Sequence, residues 1–323
     1  MEKLVYYLKQ VIMNPHKTIR LLTLFLLTAA VLTACKKDEP KIVQPDSSPV
    51  QQLSQDDNSV EENIDEALID AGQVLSVTNK SGEMMNIPCG ATLDSTIVAN
   101  DTIMYILTYD GLNCAETRYR KGKVHIKIRQ NTHWLFPGAF LTVHFLHYEV
   151  TNVFNNKKMV INGMSQMENV SGGIPALLGN GLNTVIHKNT AHVHISFNGH
   201  QPRDWHLTRM LVYSGTPGGN LMLAVNGFGS QPGFQNLLSW GTDREGKKFY
   251  TQIGESVVFK ESCQWLPHSG EQIYTIPAAQ LKATAIFGYN NNNEPITGSE
   301  CPTRYRLDWH QQGQSGTIFL PLF

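Results

Sequence analysis

The sequence predicts an all-β body, antiparallel and sandwich-like, preceded by a disordered acidic tether. Three observations predict it. Residues 123–129, 141–145 and 192–197 alternate apolar and polar side chains, which gives each strand one face for a core and one for water. Asn162-Gly163, Asn198-Gly199, Pro217-Gly218-Gly219 and Asn226-Gly227 punctuate the chain between such segments, the mark of short antiparallel strands joined by tight turns. Across residues 36–70, ten acidic residues stand against three basic ones, with few aromatics. A segment of that composition buries too little apolar surface to offset its chain entropy.

In chain order, the first element is an export signal over residues 1–34. Lys17 and Arg20 supply a basic start, residues 21–32 an apolar run, and Ala34 a small residue before Cys35, the order of a secretory signal. Met13 alone begins a well-proportioned signal and is the expected start. Twelve apolar residues fall short of the roughly 20 needed to span a hydrocarbon core. The anchor is therefore expected elsewhere.

Leu32-Thr33-Ala34-Cys35 resembles the lipobox of bacterial lipoproteins. That resemblance implies cleavage before Cys35 and acylation of the cysteine, so that lipid holds the chain to the outer membrane. Two or three acyl chains, at about 0.8 kcal/mol per buried methylene, make such attachment stable. Lys36-Lys37-Asp38-Glu39 resembles the short charged export tag of surface-exposed lipoproteins of the Bacteroidetes, and fits the start of a polar linker equally well. The tether is expected over residues 35–71. Within it, Val60, Ile64 and Leu68 share one helical side, enough for a turn or two of helix between residues 59 and 71.

The β-rich body follows over residues 72–323, with 19 basic and 16 acidic residues. So small a surplus gives no reason to expect nucleic acid as a partner. With Cys35 acylated, Cys89, Cys114, Cys263 and Cys301 remain, an even number in an exported chain. Three pairings are open, and the pairs nearest in sequence, Cys89 with Cys114 and Cys263 with Cys301, are expected. The rival reading of these cysteines as zinc ligands lacks any CxxC. Further strands are expected at residues 221–225, 256–260, 283–287 and 317–320.

A weak repeat joins the two ends of the body. Cys89, a strand over 102–111, Cys114, Arg118 and a strand over 122–128 match Cys263, a strand over 283–289, Cys301, Arg304 and a strand over 316–320. Two related β units, about 72–185 and 186–323, are inferred. These cysteine-bracketed strands behind a lipobox resemble the surface lipoproteins of unknown function common in the Bacteroidetes. That resemblance implies a β-rich body held at the cell surface and carries no activity.

Twelve histidines invite a metal reading. His192 and His194, two apart on an expected strand, share a face and could hold one ion, with His187, His200 or His206 as a third ligand. His147-Tyr148-Glu149 plus a remote histidine also has the arithmetic of a two-histidine, one-carboxylate site. The polar and aromatic run Arg203-Asp204-Trp205-His206, after a Gly-His-Gln-Pro turn, is the expected ligand-contact loop. Trp134, Trp205, Trp240, Trp265 and Trp309 could stack on sugar rings if exposed, and pack in the core otherwise. Asp94-Ser95-Thr96 and Asp101-Thr102-Ile103 match the short O-glycosylation motif of exported Bacteroidetes proteins.

No nucleophile elbow, Ser-x-x-Lys, His-Glu-x-x-His or phosphate-binding loop occurs, so no catalytic residue and no cofactor is expected. The expected function is a membrane-anchored binding or structural module, with carbohydrate or a surface protein as partner. The alternatives are a glycan-active hydrolase using two of Asp204, Asp243, Glu255 and Glu261, and an accessory lipoprotein of an outer-membrane uptake complex.

Overall fold

The computed structural model describes residues 46–76, 87–99, 101–130 and 132–322. The signal, Cys35, the export tag and residues 35–45 of the expected tether lie outside these. Helix α1 (Ser48–Ser76) comes first. The strands follow as β1 (Ala91–Ala99), β2 (Thr102–Leu112), β3 (Arg118–Arg129), β4 (Ala139–Asn152), β5 (Lys158–Asn169), β6 (Thr184–Phe197), β7 (Arg203–Ser214) and β8 (Met222–Gly227). Then come β9 (Gly229–Gln231), β10 (Phe234–Thr242), β11 (Lys248–Lys260), β12 (Pro267–Ile276), β13 (Leu281–Tyr289), β14 (Arg304–Gln311) and β15 (Gln314–Pro321).

The body is all-β and antiparallel, as the alternating pattern requires. All fifteen strands join one sheet, in the order β1 to β7 and then β10 to β15, with β8 against β7 and β11 and β9 against β10. Nearly every strand pairs with its neighbour in sequence, because short turns leave the next segment nowhere else to form its ladder. One sheet face is buried along most of the path, and α1 lies on it.

Residues 48–71 correct the expected tether, since they form most of a 29-residue helix whose apolar side is core. Val50, Leu53, Val60, Ile64, Ala67, Leu68, Ala71, Val74 and Leu75 are all buried, at the three-and-four spacing of a helical stripe. Asp46 caps its start by accepting the Ser48 backbone N–H at 2.8 Å. The acidic side is equally engaged. Arg209 of β7 pairs with Asp65 and with Glu61 at 3.3 Å, Arg120 of β3 with Asp70 at 2.7 Å, and Arg244 with Asp56 at 2.7 Å. Arg118 pairs with Glu62 and Glu66. A composition window counts these acids as solvated because their partners lie 50 to 188 residues away.

The sheet must curl to make these contacts. Ser54 meets the Tyr305 hydroxyl of β14 at 2.9 Å, and Glu62 meets Arg118 of β3. Eight helical residues advance about 12 Å, whereas nine flat strand spacings would cover about 43 Å. Opposite walls of one coiled sheet therefore face each other across α1, which produces the sandwich-like layering.

The expected division at 185/186 falls inside β6, and the ladder runs through it. What repeats is a clamped hairpin. Cys89–Cys114 closes the open end of β1–β2, and Cys263–Cys301 closes that of β12–β13, with Cα separations of 5.1 and 5.3 Å. Each is followed by a strand beginning with arginine, Arg118 or Arg304. The last part of the repeat does not correspond, because residues 122–128 continue β3 while residues 316–320 belong to β15.

Candidate functional site

The outer face of the sheet carries an unbroken cross-strand row of rings and one thioether. In register, His125 of β3 stands beside His144 of β4, then Met164 of β5, His192 of β6, His206 of β7, Trp240 of β10 and Tyr250 of β11. Directly opposite side chains on neighbouring strands sit about 4.5–5.5 Å apart at Cβ, so neighbours in such a row are within reach of one another. At its centre the rings stack, His206 on His192 at 4.1 Å and 14°, and His206 on Trp240 at 5.0 Å and 3°.

Two glycines set this part of the sheet. Gly163 of β5 has φ +120°, and a Cβ there would lie 2.5 Å from the His192 carbonyl oxygen. Gly241 of β10 lies opposite Trp205, where a Cβ would lie 2.0 Å from the Asp204 carbonyl oxygen. Only glycine lets β5 and β10 approach β6 and β7 this closely.

Two residues along from the stacked rings, and so on the same face, Asp204 of β7 stands opposite His194 of β6. Its Oδ1 lies 2.8 Å from His194 Nδ1 and 4.0 Å from His192 Nε2. These three side chains are exposed, and their ligand atoms lie within 4.8 Å of one another. Beside them, Met164, Gln166, Thr190, His192, His206 and Trp240 line part of a shallow depression of about 220 Å³. That is below the roughly 300–1,000 Å³ of drug-sized sites, so it suits one ring or side chain at a time. Burial against these neighbours, with His192 close by, holds the His206 imidazole below the ordinary histidine range.

Strand β7 divides the expected ligand-contact loop by parity. Asp204 and His206 face outward onto the site. Arg203 and Trp205 have the inward parity; Arg203 is half-buried, and the full burial of Trp205 corrects its assignment as a ligand contact. Trp205 is fully buried between Phe197 and Phe249 and donates its indole N–H to Asp57 of α1 at 3.0 Å. Arg203 donates to the Arg244 carbonyl at 2.8 Å. A run read as a loop hides this split, because side chains alternate only once the residues join a strand.

His192 and His194 share a face, and Asp204 completes the group with them. His187 is of opposite parity and packs inside against Trp134 and Tyr213, where burial alone lowers its pKa to about 4. His200 lies in the β6–β7 turn and His206 presents its ring face to His192. At the other arithmetic match, His147 occupies a bulge with φ 50°, Tyr148 is core, and Glu149 pairs with Lys158 at 2.6 Å. Among the described residues, His192, His194 and Asp204 are the group of three with ligand-like spacing.

No family model, curated protein or solved structure matches the chain.

The remaining candidates have structural surroundings. Asp243 is buried and accepts the backbone N–H groups of Glu245 and Lys247 in the β10–β11 turn. Glu261 accepts N–H groups of Gly219 and Leu221, which hold its carboxyl below the usual range. Glu255 is exposed on β11. Trp134 is core and Trp265 exposed at 41 %. The motif at residues 94–96 lies on edge strand β1, and that at 101–103 at the β1–β2 turn.

Proposed function

We propose that the chain is an exported lipoprotein, acylated on Cys35 and held at the outer membrane, whose β-rich body is a binding module. Its ligand face is the outer surface of β6, β7 and β10, and carbohydrate is the class that fits it. The observation that carries the reading is the stacked ledge His192–His206–Trp240 beside polar side chains. The outward edges of these stacked rings make an apolar strip for the C–H face of a sugar, while Gln166, Thr190, Thr208, His194 and Asp204 are placed to meet its hydroxyls. A shallow depression suits one residue of an extended glycan better than a free small molecule. Strands hold these groups more rigidly than loops would. The clamped hairpins suit an oxidising compartment, and the lipobox supports the anchor. Among the described residues, no helix is long and apolar enough to cross a membrane.

Two measurements test the proposal. Cys35→Ser should abolish incorporation of a labelled fatty acid and release the protein from membranes; retention of label overturns the anchor. Trp240→Ala in the full chain should weaken retention on an immobilised polysaccharide panel up to about tenfold, the worth of one aromatic stack. Retention on no polysaccharide, or retention indifferent to Trp240, His206 and His192 alike, overturns the ligand face.

A further inference from the structure

We infer that His192, His194 and Asp204 form a site for one divalent transition-metal ion of the zinc and copper(II) class, open to an external ligand. The inference deepens the proposed function and rests on the same face being a binding face.

Geometry comes first. Two histidines at i and i+2 on β6 present both imidazoles outward, and the register sets Asp204 directly opposite the second. Protein ligands about 2.0–2.1 Å from a tetrahedral ion stand about 3.3 Å from one another. The Asp204 Oδ1 distances are 2.8 Å to His194 and 4.0 Å to His192, and all three ligand atoms lie within 4.8 Å of one another, so ligation needs shifts of no more than about 1.5 Å in exposed side chains. The His194 Nδ1 already lies 2.8 Å from the carboxylate. The stacked His206 and Trp240 rings hold the His192 plane, the kind of outer support that fixes ligands in metal sites.

Donor chemistry then selects the ion. Two imidazoles and one carboxylate, with no thiolate, favour borderline ions such as zinc and copper(II) over oxygen-seeking calcium and magnesium. Three protein ligands leave a position for water or a ligand group, beside the depression that Trp240 lines.

Charge separates this site from the rest of the histidine row. His125 and His144 are also cross-strand neighbours on the same face. Burial first, and then Lys127 beside both and Lys123 beside His125, oppose protonation of these imidazoles, and the same lysines would repel a metal ion. Asp204 reverses that sign at His192 and His194.

The test uses the full chain in detergent without a histidine tag. Isothermal titration with zinc chloride, and separately with copper(II) chloride, should show one saturable site per chain. Magnesium chloride should give none of comparable strength. His192→Ala, His194→Ala and Asp204→Asn should each weaken binding at least about tenfold, with circular dichroism unchanged because all three side chains are exposed. His125→Ala and His144→Ala should leave it intact. Absence of a saturable site, or binding that survives loss of both His192 and His194, overturns the inference. If zinc does not bind while polysaccharide retention still depends on Trp240, the metal site falls and the ligand face stands. If zinc binds and no polysaccharide is retained, the metal site stands without the carbohydrate reading.

Discussion

Glu61→Gln should remove a loss of stability that accompanies rising pH between about pH 6.5 and 8. Glu61 lies on α1 against Arg209, which also serves Asp65. One guanidinium cannot balance every buried carboxyl around it, and burial raises Glu61 to about 8 from an ordinary 4.5. The folded chain thus keeps a proton that the unfolded chain releases. For such a group, stability is fully present below the unfolded value and is lost as pH rises through the folded one. Asp57, raised by burial to about 6, acts in the same sense, as do Asp56, Glu62 and Asp70, which burial also raises. His187, lowered to about 4 from 6.5, acts in the opposite sense, as do His125, His144, His206 and His268, which burial lowers. The difference between wild type and Glu61→Gln therefore isolates the share of Glu61. One proton over about 1.5 pH units, at about 1.36 kcal/mol per unit, is a loss of about 2 kcal/mol. Urea unfolding of the oxidised chain at several pH values across this interval measures it directly. From pH 6.5 to 8 the wild type should lose about 2 kcal/mol more than Glu61→Gln. A variant whose stability follows pH with the same slope as the wild type refutes the reasoning.

Arg209→Ala should destabilise the body by about 3–5 kcal/mol, because it strands buried carboxyls of α1 without their cation, as read from the urea midpoint. Trp205→Phe keeps the ring but removes the donor to Asp57; a loss of about 1–3 kcal/mol is expected, with ligand retention unchanged because the side chain faces inward. Replacing Cys263 and Cys301 with alanine opens a loop of 38 residues and should cost about 4 kcal/mol of thermal or urea stability by chain entropy. Gly241→Ala should weaken both fold and site together, since its Cβ would overlap the Asp204 carbonyl. Preserved zinc and polysaccharide binding in a fully stable Gly241→Ala protein would contradict the close β7–β10 approach.

The sequence by itself determined the all-β class, because an apolar and polar period of two is local and survives in any short window, as at residues 123–129 and 192–197. It also pointed to both disulfides, since an even count and nearest-neighbour pairing needed no coordinates. The His192 and His194 pair was legible for the same reason, two residues of one parity on one strand. Asp204 was named, but its place opposite His194 depends on the register of β6 against β7, and no single strand encodes that. The row from His125 to Tyr250 was missed because its members lie on seven strands.

Only the tertiary structure decided that residues 48–76 are core. Ten acids among polar residues read as a solvated tether when counted alone, although Val60, Ile64 and Leu68 already marked one helical side. Burial became affordable to the chain when arginines on β3, β7 and the β10–β11 turn met those acids. Compensation of charge acts through space between residues as far apart as Asp56 and Arg244, and a composition window has no access to that distance. The same physics turned Trp205 inward to Asp57 and left its neighbours Asp204 and His206 on the face where a ligand can reach them.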